Sequence, residues 1–394
     1  MAKRVMVQLA ISDGLKSVFD GRDDIELERF TELSEDNIHQ HIGNYDAVIL
    51  GIAPLTPRLI EAGDKLKIAS RFGVGYDAVD VPALTKAGIP LTIAGIANSV
   101  TVAEHALFFM LALAKQAIPY DRETRKGNWA VRWDLPAFDL AGRTAMVLGF
   151  GKIGRRLVNR LVAMEMDVMV HDPYVVQDGI RTAGATPVDD WRANLGEIDF
   201  LSINCMKNEE TNGMVAAAEL TAMKETAFVV NTARGGIVDE GALYDILKSK
   251  GIAGAGIDPF VVEPATTDNP LFQLENIIVS PHSAGVTQES VFRMGQIAAQ
   301  NVVDCFDGKL DPANLINPEV LKYMITPARE LVSRVTQTMG QRGSPLDLVK
   351  NSKGMKALLT SNPNARCDEY LITLANCVKL GSVTREVSDL KAVY

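Results

Sequence analysis

Residues 144–154 read Thr-Ala-Met-Val-Leu-Gly-Phe-Gly-Lys-Ile-Gly. They begin a pattern that continues to residue 172 and predicts the fold of the chain. An apolar run, Thr144–Leu148, leads into glycines spaced Gly-x-Gly-x-x-Gly. Helical periodicity over 155–164 and a second apolar run over 167–170 follow. This order predicts a β–α–β unit whose helix begins at the glycines. The amides and the positive dipole end of such a helix can bind a pyrophosphate.

The three glycines and a carboxylate after them predict which dinucleotide binds. Gly149 allows the tight turn, Gly151 lets a pyrophosphate approach bare backbone, and Gly154 lets the helix pack closely on the strand. Asp172 lies at the end of the next strand, where it can accept hydrogen bonds from both ribose hydroxyls. A 2′-phosphate would meet like charge there, and the Pro-Tyr pair that follows offers no cation. The pattern therefore favours NAD over NADP.

Composition limits the classes of protein and partner. The chain has 394 residues, 47% of them hydrophobic, which suggests two or three domains with a large buried core. A net charge of −9 argues against nucleic acid as the main partner, because phosphate binding needs a basic surface. The four cysteines lack metal-ligand spacing and are expected as reduced thiols, so no metal and a cytoplasmic location are predicted.

Neither of the two apolar runs that could suggest a membrane is expected to enter one. The run over 5–11 ends at an aspartate without a cleavage signal, so it is predicted to be a first strand. The run over 106–114 spans nine residues, too few to cross a bilayer, and is predicted to lie in a helix buried on all sides. No membrane partner is expected.

The remaining periodicity predicts an α/β protein with two parallel sheets. Strand candidates in the first part are 4–10, 46–51, 67–70 and 90–93. A six-stranded doubly wound domain is predicted from Thr144–Leu148, 167–170, 199–204, 227–231, 253–257 and 276–280. A helix over 287–306 and an extended return over 310–318 follow. Residues 325–394 are predicted to form short helices. This tail carries ten basic and six acidic residues, so docking on the acidic body is favoured over a separate binding function.

Three side chains are the candidates for chemistry. His282 follows a proline at the carboxyl end of the sixth strand, the edge where open α/β sheets bind ligands, and is the candidate proton donor. Arg234, flanked by glycines after the fourth strand, offers a planar fork that matches a carboxylate. Glu263 follows the fifth strand, and a carboxylate near His282 would favour its imidazolium and hold one tautomer.

The order of these patterns resembles the D-isomer-specific 2-hydroxyacid dehydrogenase family, in its phosphoglycerate and hydroxypyruvate/glyoxylate reductase branch. The patterns are the glycine loop, an aspartate, Asn-Thr-Ala-Arg-Gly-Gly-x-Val-Asp, Asp-x-x-x-x-Glu-Pro and Pro-His, and the resemblance covers roughly residues 1–320. It implies a Rossmann NAD domain over 99–289 and a smaller, flavodoxin-like substrate domain over 1–98, completed by 290–324. It also implies a homodimer formed through the nucleotide domain.

The resemblance also implies the roles of individual residues. Arg234 binds the carboxylate and carbonyl of a small 2-ketoacid, His282 is the general acid/base, and Glu263 tunes it. The substrate carboxylate is held by the amides of a loop that includes Val74 and Gly75. The predicted cofactor-binding set is Thr101, Gly149, Gly151, Lys152, Ile153, Gly154, Asp172, Thr232, Ala233 and Asp258.

Proteins with other functions share this scaffold and its residue pattern. A non-enzymatic, NAD-sensing corepressor similar to the C-terminal-binding proteins keeps the same Arg/Glu/His set. Formate oxidation is disfavoured, because that branch places glutamine where Glu263 stands. The sequence does not identify the acid. Arg71, just before the Gly73 loop, could bind a second anionic group of the substrate or could be an ordinary surface arginine.

Overall fold

The computed structural model describes residues 2–321, and the tail predicted over 325–394 lies outside them. The strands are β1 (Lys3–Val7), β2 (Ile25–Arg29), β3 (Ala47–Leu50), β4 (Ile68–Arg71), β5 (Leu91–Ile93), β6 (Thr144–Leu148), β7 (Asp167–His171), β8 (Thr186–Pro187), β9 (Phe200–Ile203), β10 (Phe228–Asn231), β11 (Gly254–Ile257) and β12 (Ile277–Val279). The helices are α1 (Asp13–Phe19), α2 (Glu35–His41), α3 (Pro57–Ala62), α4 (Val81–Ala87), α5 (Ser99–Ala114), α6 (Ala117–Arg125), α7 (Val131–Asp134), α8 (Lys152–Ala163), α9 (Gln177–Thr182), α10 (Ala217–Ala222), α11 (Glu240–Lys248) and α12 (Gln288–Phe306).

The first sheet is parallel, with strand order β2-β1-β3-β4-β5, which is the flavodoxin-like order. β3 is buried along its whole length and pairs with β1 and β4. The edge strand β2 was not predicted. Its sequence, Ile-Glu-Leu-Glu-Arg, alternates apolar and charged residues, as a half-exposed edge does, and it lacks the continuous apolar run of the central strands.

The second sheet is also parallel, with strand order β12-β11-β10-β9-β6-β7-β8. All six predicted strands are present, and together with β8 they follow the order 3-2-1-4-5-6-7, which is the Rossmann order extended by one strand and confirms the doubly wound fold. The prediction of six strands in total was wrong, because β8 adds a seventh at the edge beyond β7. With only two residues, one of them Pro187, β8 has too little pattern to be recognised from sequence.

The apolar helix α5 packs against the second sheet, but the prediction that it is buried on all sides was wrong, because Phe108 is 49% exposed. Phe109 is fully buried, and an ideal Cβ on Gly256 of β11 would lie 2.7 Å from its ring. The missing side chain at Gly256 therefore lets α5 press directly on β11. Among residues 2–321, no single helix has both the length and the apolar composition to cross a membrane. α5 and α6 meet those criteria only as a pair, bent by 56°.

After the second sheet the chain returns to the first. α12 packs on α1 at a close approach, since an ideal Cβ on Gly14 would lie 2.0 Å from the carbonyl oxygen of Phe292. The segment predicted as extended over 310–318 instead contains a 3-10 turn, Pro312–Asn314, because Asp311 caps it and a proline starts it. Leu315 then forms an antiparallel bridge with Thr92 of β5.

Candidate active site

The glycine loop between β6 and α8 has the geometry that its spacing predicts. Gly149 has φ +97°, a conformation that favours glycine. An ideal Cβ on Gly154 would lie 2.0 Å from the carbonyl oxygen of Gly149, so the helix and the turn are in direct contact. At Gly151, by contrast, no described atom lies within 4 Å of the ideal Cβ. The loop therefore leaves open backbone at the N-terminus of α8, where Lys152 and Ile153 begin the helix.

Asp172 lies beside this loop. Its carboxylate accepts hydrogen bonds from the backbone N–H of Phe150 at 2.7 Å and of Tyr174 at 3.0 Å. It also lines a pocket formed by β7, α9 and β8, where apolar side chains such as Val170 and Ile180 lie beside the polar His171, Gln177 and Asp189. A carboxylate accepts more than two hydrogen bonds, so Asp172 retains capacity for ribose hydroxyls, and the pocket beside it suits an adenine ring.

Two buried polar atoms at the same edge of the sheet also lack a partner within residues 2–321. The hydroxyl of Thr232 and the amide oxygen of Asn204 are buried without a hydrogen-bond partner among the described residues. Both follow strands at the carboxyl edge of the second sheet. Buried polar groups of this kind are normally satisfied, so a ligand with donors and acceptors is expected over this edge. The open glycine loop, Asp172 and these atoms fit a dinucleotide.

The candidate proton donor and its carboxylate partner are in contact. His282 Nδ1 lies 2.7 Å from Glu263 Oε2, and both side chains are partly exposed. The other oxygen, Glu263 Oε1, accepts the backbone N–H of Phe260 at 2.9 Å, which fixes the carboxylate. With Nδ1 engaged, Nε2 is the ring nitrogen available to a substrate.

The loop that carries His282 is held by Asp258. His282 has φ +51°, in the left-handed region that a non-glycine residue seldom adopts. Its N–H donates to the carbonyl oxygens of Ser280 at 3.0 Å and of Asp258 at 3.2 Å. The Asp258 carboxylate, 1% exposed, accepts from the N–H groups of Ser283 at 2.8 Å and Ala284 at 3.0 Å. These bonds hold the histidine in its uncommon backbone conformation.

Arg234 joins the two sheets. Its Nε donates to Asp77 Oδ2 at 2.8 Å, and its Nη1 donates to the carbonyl oxygen of Ala233 at 2.7 Å. An ideal Cβ on Gly75 would lie 1.7 Å from Nη2, so that nitrogen lies against the Gly73–Gly75 loop. The guanidinium is thus fixed at two donors, with Nη2 beside the loop predicted to hold the substrate carboxylate.

Charges around Asp77 make this region electropositive. Partial burial would raise the pKa of Asp77, but the hydrogen bond and charge of Arg234, with a smaller effect of Lys207, hold that pKa below its usual value. Arg71 lies close by. Burial, together with the charge of Arg234, lowers the pKa of Arg71 to about 10. One carboxylate among three cations leaves an environment suited to an anionic ligand.

The structure contradicts one of the two interpretations of Arg71, that of an ordinary surface arginine. It is not a surface arginine, because its Nη1 donates to the carbonyl oxygens of Leu50 and Phe72. These bonds join β3 to the segment just before Gly73. Arg71 therefore braces the loop, whether or not it also contacts a ligand.

The predicted residues thus form three groups: the loop with Asp172, the His282–Glu263 pair with Asp258 behind it, and Arg234 against Gly75. Thr101 is buried in the first turn of α5, and Ala233 contributes backbone beside Arg234. Sequence reasoning missed Asp77, although it lies two residues after Gly75 in the same short run, Gly-Val-Gly-Tyr-Asp. It also missed Ser280 and His105, which contact each other behind the histidine loop at 3.1 Å.

Comparison with known proteins agrees with this geometry. Residues 107–284 match the family model for the D-isomer specific 2-hydroxyacid dehydrogenase, NAD binding domain. The chain is 36% identical over 289 residues to a glyoxylate reductase from Korarchaeum cryptofilum, covering 72% of this chain and 86% of that one. It is 34% identical over 294 residues to a D-3-phosphoglycerate dehydrogenase from Archaeoglobus fulgidus, covering 74% of this chain and 55% of that one.

Length and structure add to the comparison. The chain spans about half the length of the curated phosphoglycerate dehydrogenases that it matches. Among solved structures, an NAD-dependent formate dehydrogenase from Staphylococcus aureus in complex with NAD superposes with a TM-score of 0.71 at 25% identity. That match covers 80% of this chain and 98% of the other.

Proposed function

Because the chain belongs to the D-isomer specific 2-hydroxyacid dehydrogenase family, we propose that it interconverts a small 2-ketoacid and its D-2-hydroxyacid with NAD. The observation that carries the proposal is the pair of His282 and Glu263, in contact at 2.7 Å. A histidine held by a carboxylate at one nitrogen and free at the other is suited to general acid/base catalysis. It lies at the carboxyl edge of the sheet that carries the glycine loop.

In the direction of reduction, His282 acts as the acid. Glu263 accepts a hydrogen bond from Nδ1–H, and Nε2 carries the proton that passes to the carbonyl oxygen of the ketoacid. In the reverse direction, neutral His282 accepts the hydroxyl proton at Nε2. NADH, when held by the glycine loop and Asp172, would supply the hydride for the keto carbon.

Arg234 orients the substrate. Its Nη2, beside Gly75, is placed to bind the substrate carboxylate together with the N–H groups of Val74 and Gly75. Asp77 holds the guanidinium at Nε, which reduces the freedom lost when the substrate binds. The positive charge also polarises the adjacent carbonyl and stabilises the oxygen as negative charge develops on it.

The same residues suggest how NAD is held. The open backbone at Gly151 receives the pyrophosphate at the start of α8, and Asp172 binds the ribose hydroxyls. Thr101, Thr232 and Asp258 are the further proposed contacts. In this structure the Asp258 carboxylate already serves the histidine loop, so any contact with NAD shares that carboxylate.

A panel assay tests the proposed activity. Glyoxylate, hydroxypyruvate, pyruvate, longer 2-ketoacids and 3-phosphohydroxypyruvate are each assayed with NADH and with NADPH. We expect turnover of at least one ketoacid, faster with NADH. Tight NADH binding without turnover of any ketoacid would contradict the proposal and favour the NAD-sensing alternative, for which no feature of this structure argues specifically.

We also propose which part of the chain binds the substrate and which part binds NAD. We assign residues 1–98, completed by 290–324, to substrate binding and 99–289 to NAD binding. α12 packs on α1 and β4 of the first sheet, which supports the assignment of 290 onwards to that part. Arg234 then bridges the two parts through Asp77, so substrate and NAD meet between them.

We also propose a homodimer. Helices α5–α7 and the turns between them expose several large apolar side chains, including Phe108, Ile118, Trp129 and Trp133, the last of which is 77% exposed. Exposed apolar groups concentrated in one short segment are typical of protein–protein contacts. Sedimentation equilibrium should give twice the chain mass, and Trp133→Glu should shift the protein toward monomer. A cytoplasmic location is proposed because Cys205 and Cys305 form no disulfide within residues 2–321.

A further inference from the structure

The chain of contacts behind the catalytic loop begins on α5. His105 Nε2 lies 3.1 Å from the hydroxyl of Ser280, and that hydroxyl is in hydrogen-bond contact with Asp258 Oδ1. Asp258 in turn receives the N–H groups of Ser283 and Ala284, on the far side of His282. A continuous hydrogen-bonded path thus runs from the helix to both ends of the loop that carries the proposed proton donor.

The direction of the hydrogen bonds along this path follows from chemistry. An ionised carboxylate only accepts, so the Ser280 hydroxyl donates its proton to Asp258. The Ser280 oxygen is then an acceptor, and His105 must donate to it from Nε2–H. A single tautomer of neutral His105 satisfies this arrangement. Burial lowers the pKa of His105, against the opposing charge of Asp258, which agrees with a neutral ring.

Packing keeps His105 in place. Its ring packs edge to face on the ring of Phe109, with the two centroids 4.5 Å apart. The centroid of the Phe108 ring lies 5.6 Å from that of His105. Phe109 in turn lies against Gly256, two residues before Asp258. The helix face that carries the imidazole is therefore held at a fixed distance from the strand that carries the carboxylate.

We infer that His105 is a positioning residue, which acts through Ser280 and Asp258 to hold the His282 loop in its productive conformation. This inference rests on the proposed function, since it assigns His282 as the proton donor. His105 lies behind the loop and acts on it through its contact with Ser280. Its contribution is to fix the carboxylate that anchors the loop, so that His282 keeps φ +51° and its Nδ1 stays on Glu263.

Paired substitutions separate this role from general packing. His105→Gln places an amide N–H where Nε2–H lies, whereas His105→Leu fills similar space without a donor. We expect His105→Leu to lower kcat about 10-fold, the effect of one lost hydrogen bond in a charged network, with KM for the ketoacid within about 2-fold of wild type. His105→Gln should retain kcat within about 3-fold, while Glu104→Gln, on the exposed face of the same turn, should be unchanged.

A double-mutant cycle tests the path itself. Ser280→Ala removes the middle of the path, so His105→Leu in that background should cause no further loss of kcat, whereas Ser280→Thr keeps the hydroxyl and should retain activity. Equal losses in His105→Gln and His105→Leu, wild-type kcat in His105→Leu, or additive losses in the double variant would each overturn the inference.

A measurement independent of turnover keeps this test separate from the proposed function. Amide hydrogen exchange at Ser283 and Ala284 should be faster in His105→Leu than in wild type or His105→Gln, because the anchoring carboxylate loses its support. Unchanged exchange in His105→Leu would overturn the inference. If wild type turns over no ketoacid, the proposed function fails, and exchange alone decides whether His105 positions the loop.

Discussion

His282 Nδ1 and Glu263 Oε2 lie 2.7 Å apart, and the second oxygen of Glu263 is tied to the backbone N–H of Phe260. The carboxylate is therefore fixed before a substrate arrives and sets the tautomer of the imidazole. Its charge lies next to the ring that is proposed to donate the proton, so loss of this carboxylate is expected to affect proton transfer.

Glu263→Gln should lower kcat/KM for reduction. The amide keeps a hydrogen-bonding partner for the imidazole but removes the charge beside the ring that donates the proton, and the ring is then held less firmly. Values of kcat/KM for the two proteins at neutral pH measure the effect. Glu240→Gln is the matched control, because Glu240 bonds to the backbone of Val261 at 2.6 Å and not to the imidazole. Equal kcat/KM for Glu263→Gln and wild type would show that the contact does not influence proton transfer.

His282→Ala should lower kcat by roughly 10²–10⁴-fold, the usual contribution of a positioned general acid. NADH affinity, measured by fluorescence titration, should change little, because the glycine loop and Asp172 are untouched. His39→Ala, on α2 of the first sheet, serves as the control and should retain wild-type kcat. Turnover near the wild-type rate in His282→Ala at neutral pH would remove His282 from the mechanism.

Asp172 should set the choice of cofactor. Asp172→Ser is expected to weaken NADH binding by about 1–3 kcal/mol, through lost hydrogen bonds to a charged acceptor, and to improve NADPH binding. Asp167→Ser, at the exposed opposite end of β7, controls for changes to the strand. The measurement is the Kd of each cofactor for each variant. A wild-type protein that prefers NADPH would refute this role of Asp172.

Asp77→Asn should raise KM for the ketoacid more than it alters stability. The side chain of Asp77 is 57% exposed, so its ion pair with Arg234 contributes about 0.2–1 kcal/mol to folding. Because the pKa of Asp77 is lowered in the folded protein, that contribution is present above the ordinary value of 3.8 and is lost as the pH falls below it. Urea unfolding at pH 7 and at low pH, with KM at pH 7, tests both parts. A KM equal to that of wild type would show that Arg234 needs no support from Asp77.

Removal of the chain after Met324 should leave a folded dimer that still reduces its ketoacid. All the residues proposed for the site, and the two sheets that position them, lie among the described residues 2–321. If the basic tail docks on the acidic body, added salt should weaken that docking, since exposed ion pairs are screened beyond about 8–10 Å. An insoluble or monomeric truncated protein would place the tail in the core or the interface, and loss of response to an effector would make it regulatory.

The sequence predicts most of the fold because burial leaves strong patterns. The central strands β3, β9, β10 and β11 are fully buried, and their sequences consist mostly of apolar or small residues. The two missed strands, β2 and β8, are edges, where half-exposure or shortness weakens the pattern. Local pattern is therefore a good guide where both faces of a strand are covered and a poor one at the margins.

The candidate site divides in the same way. Glycine spacing and residues at strand ends point to the loop, Asp172, Arg234 and His282, because their roles depend on local backbone. Asp77 and His105 lie 157 and 175 residues from their partners Arg234 and Ser280. Only tertiary structure brings such residues together, so single-sequence reasoning had no signal that joined them. The tail over 325–394 stays a prediction.

The configuration of the product distinguishes the proposed reaction from its alternatives. Wild-type protein is incubated with NADH and the panel of 2-ketoacids, and any 2-hydroxyacid formed is resolved by chiral chromatography, with His282→Ala as the control. We expect NADH consumption matched by a single D-2-hydroxyacid, with both greatly reduced in His282→Ala. Formation of the L-isomer, or bound NADH that is not consumed with any ketoacid, would contradict the proposed reaction.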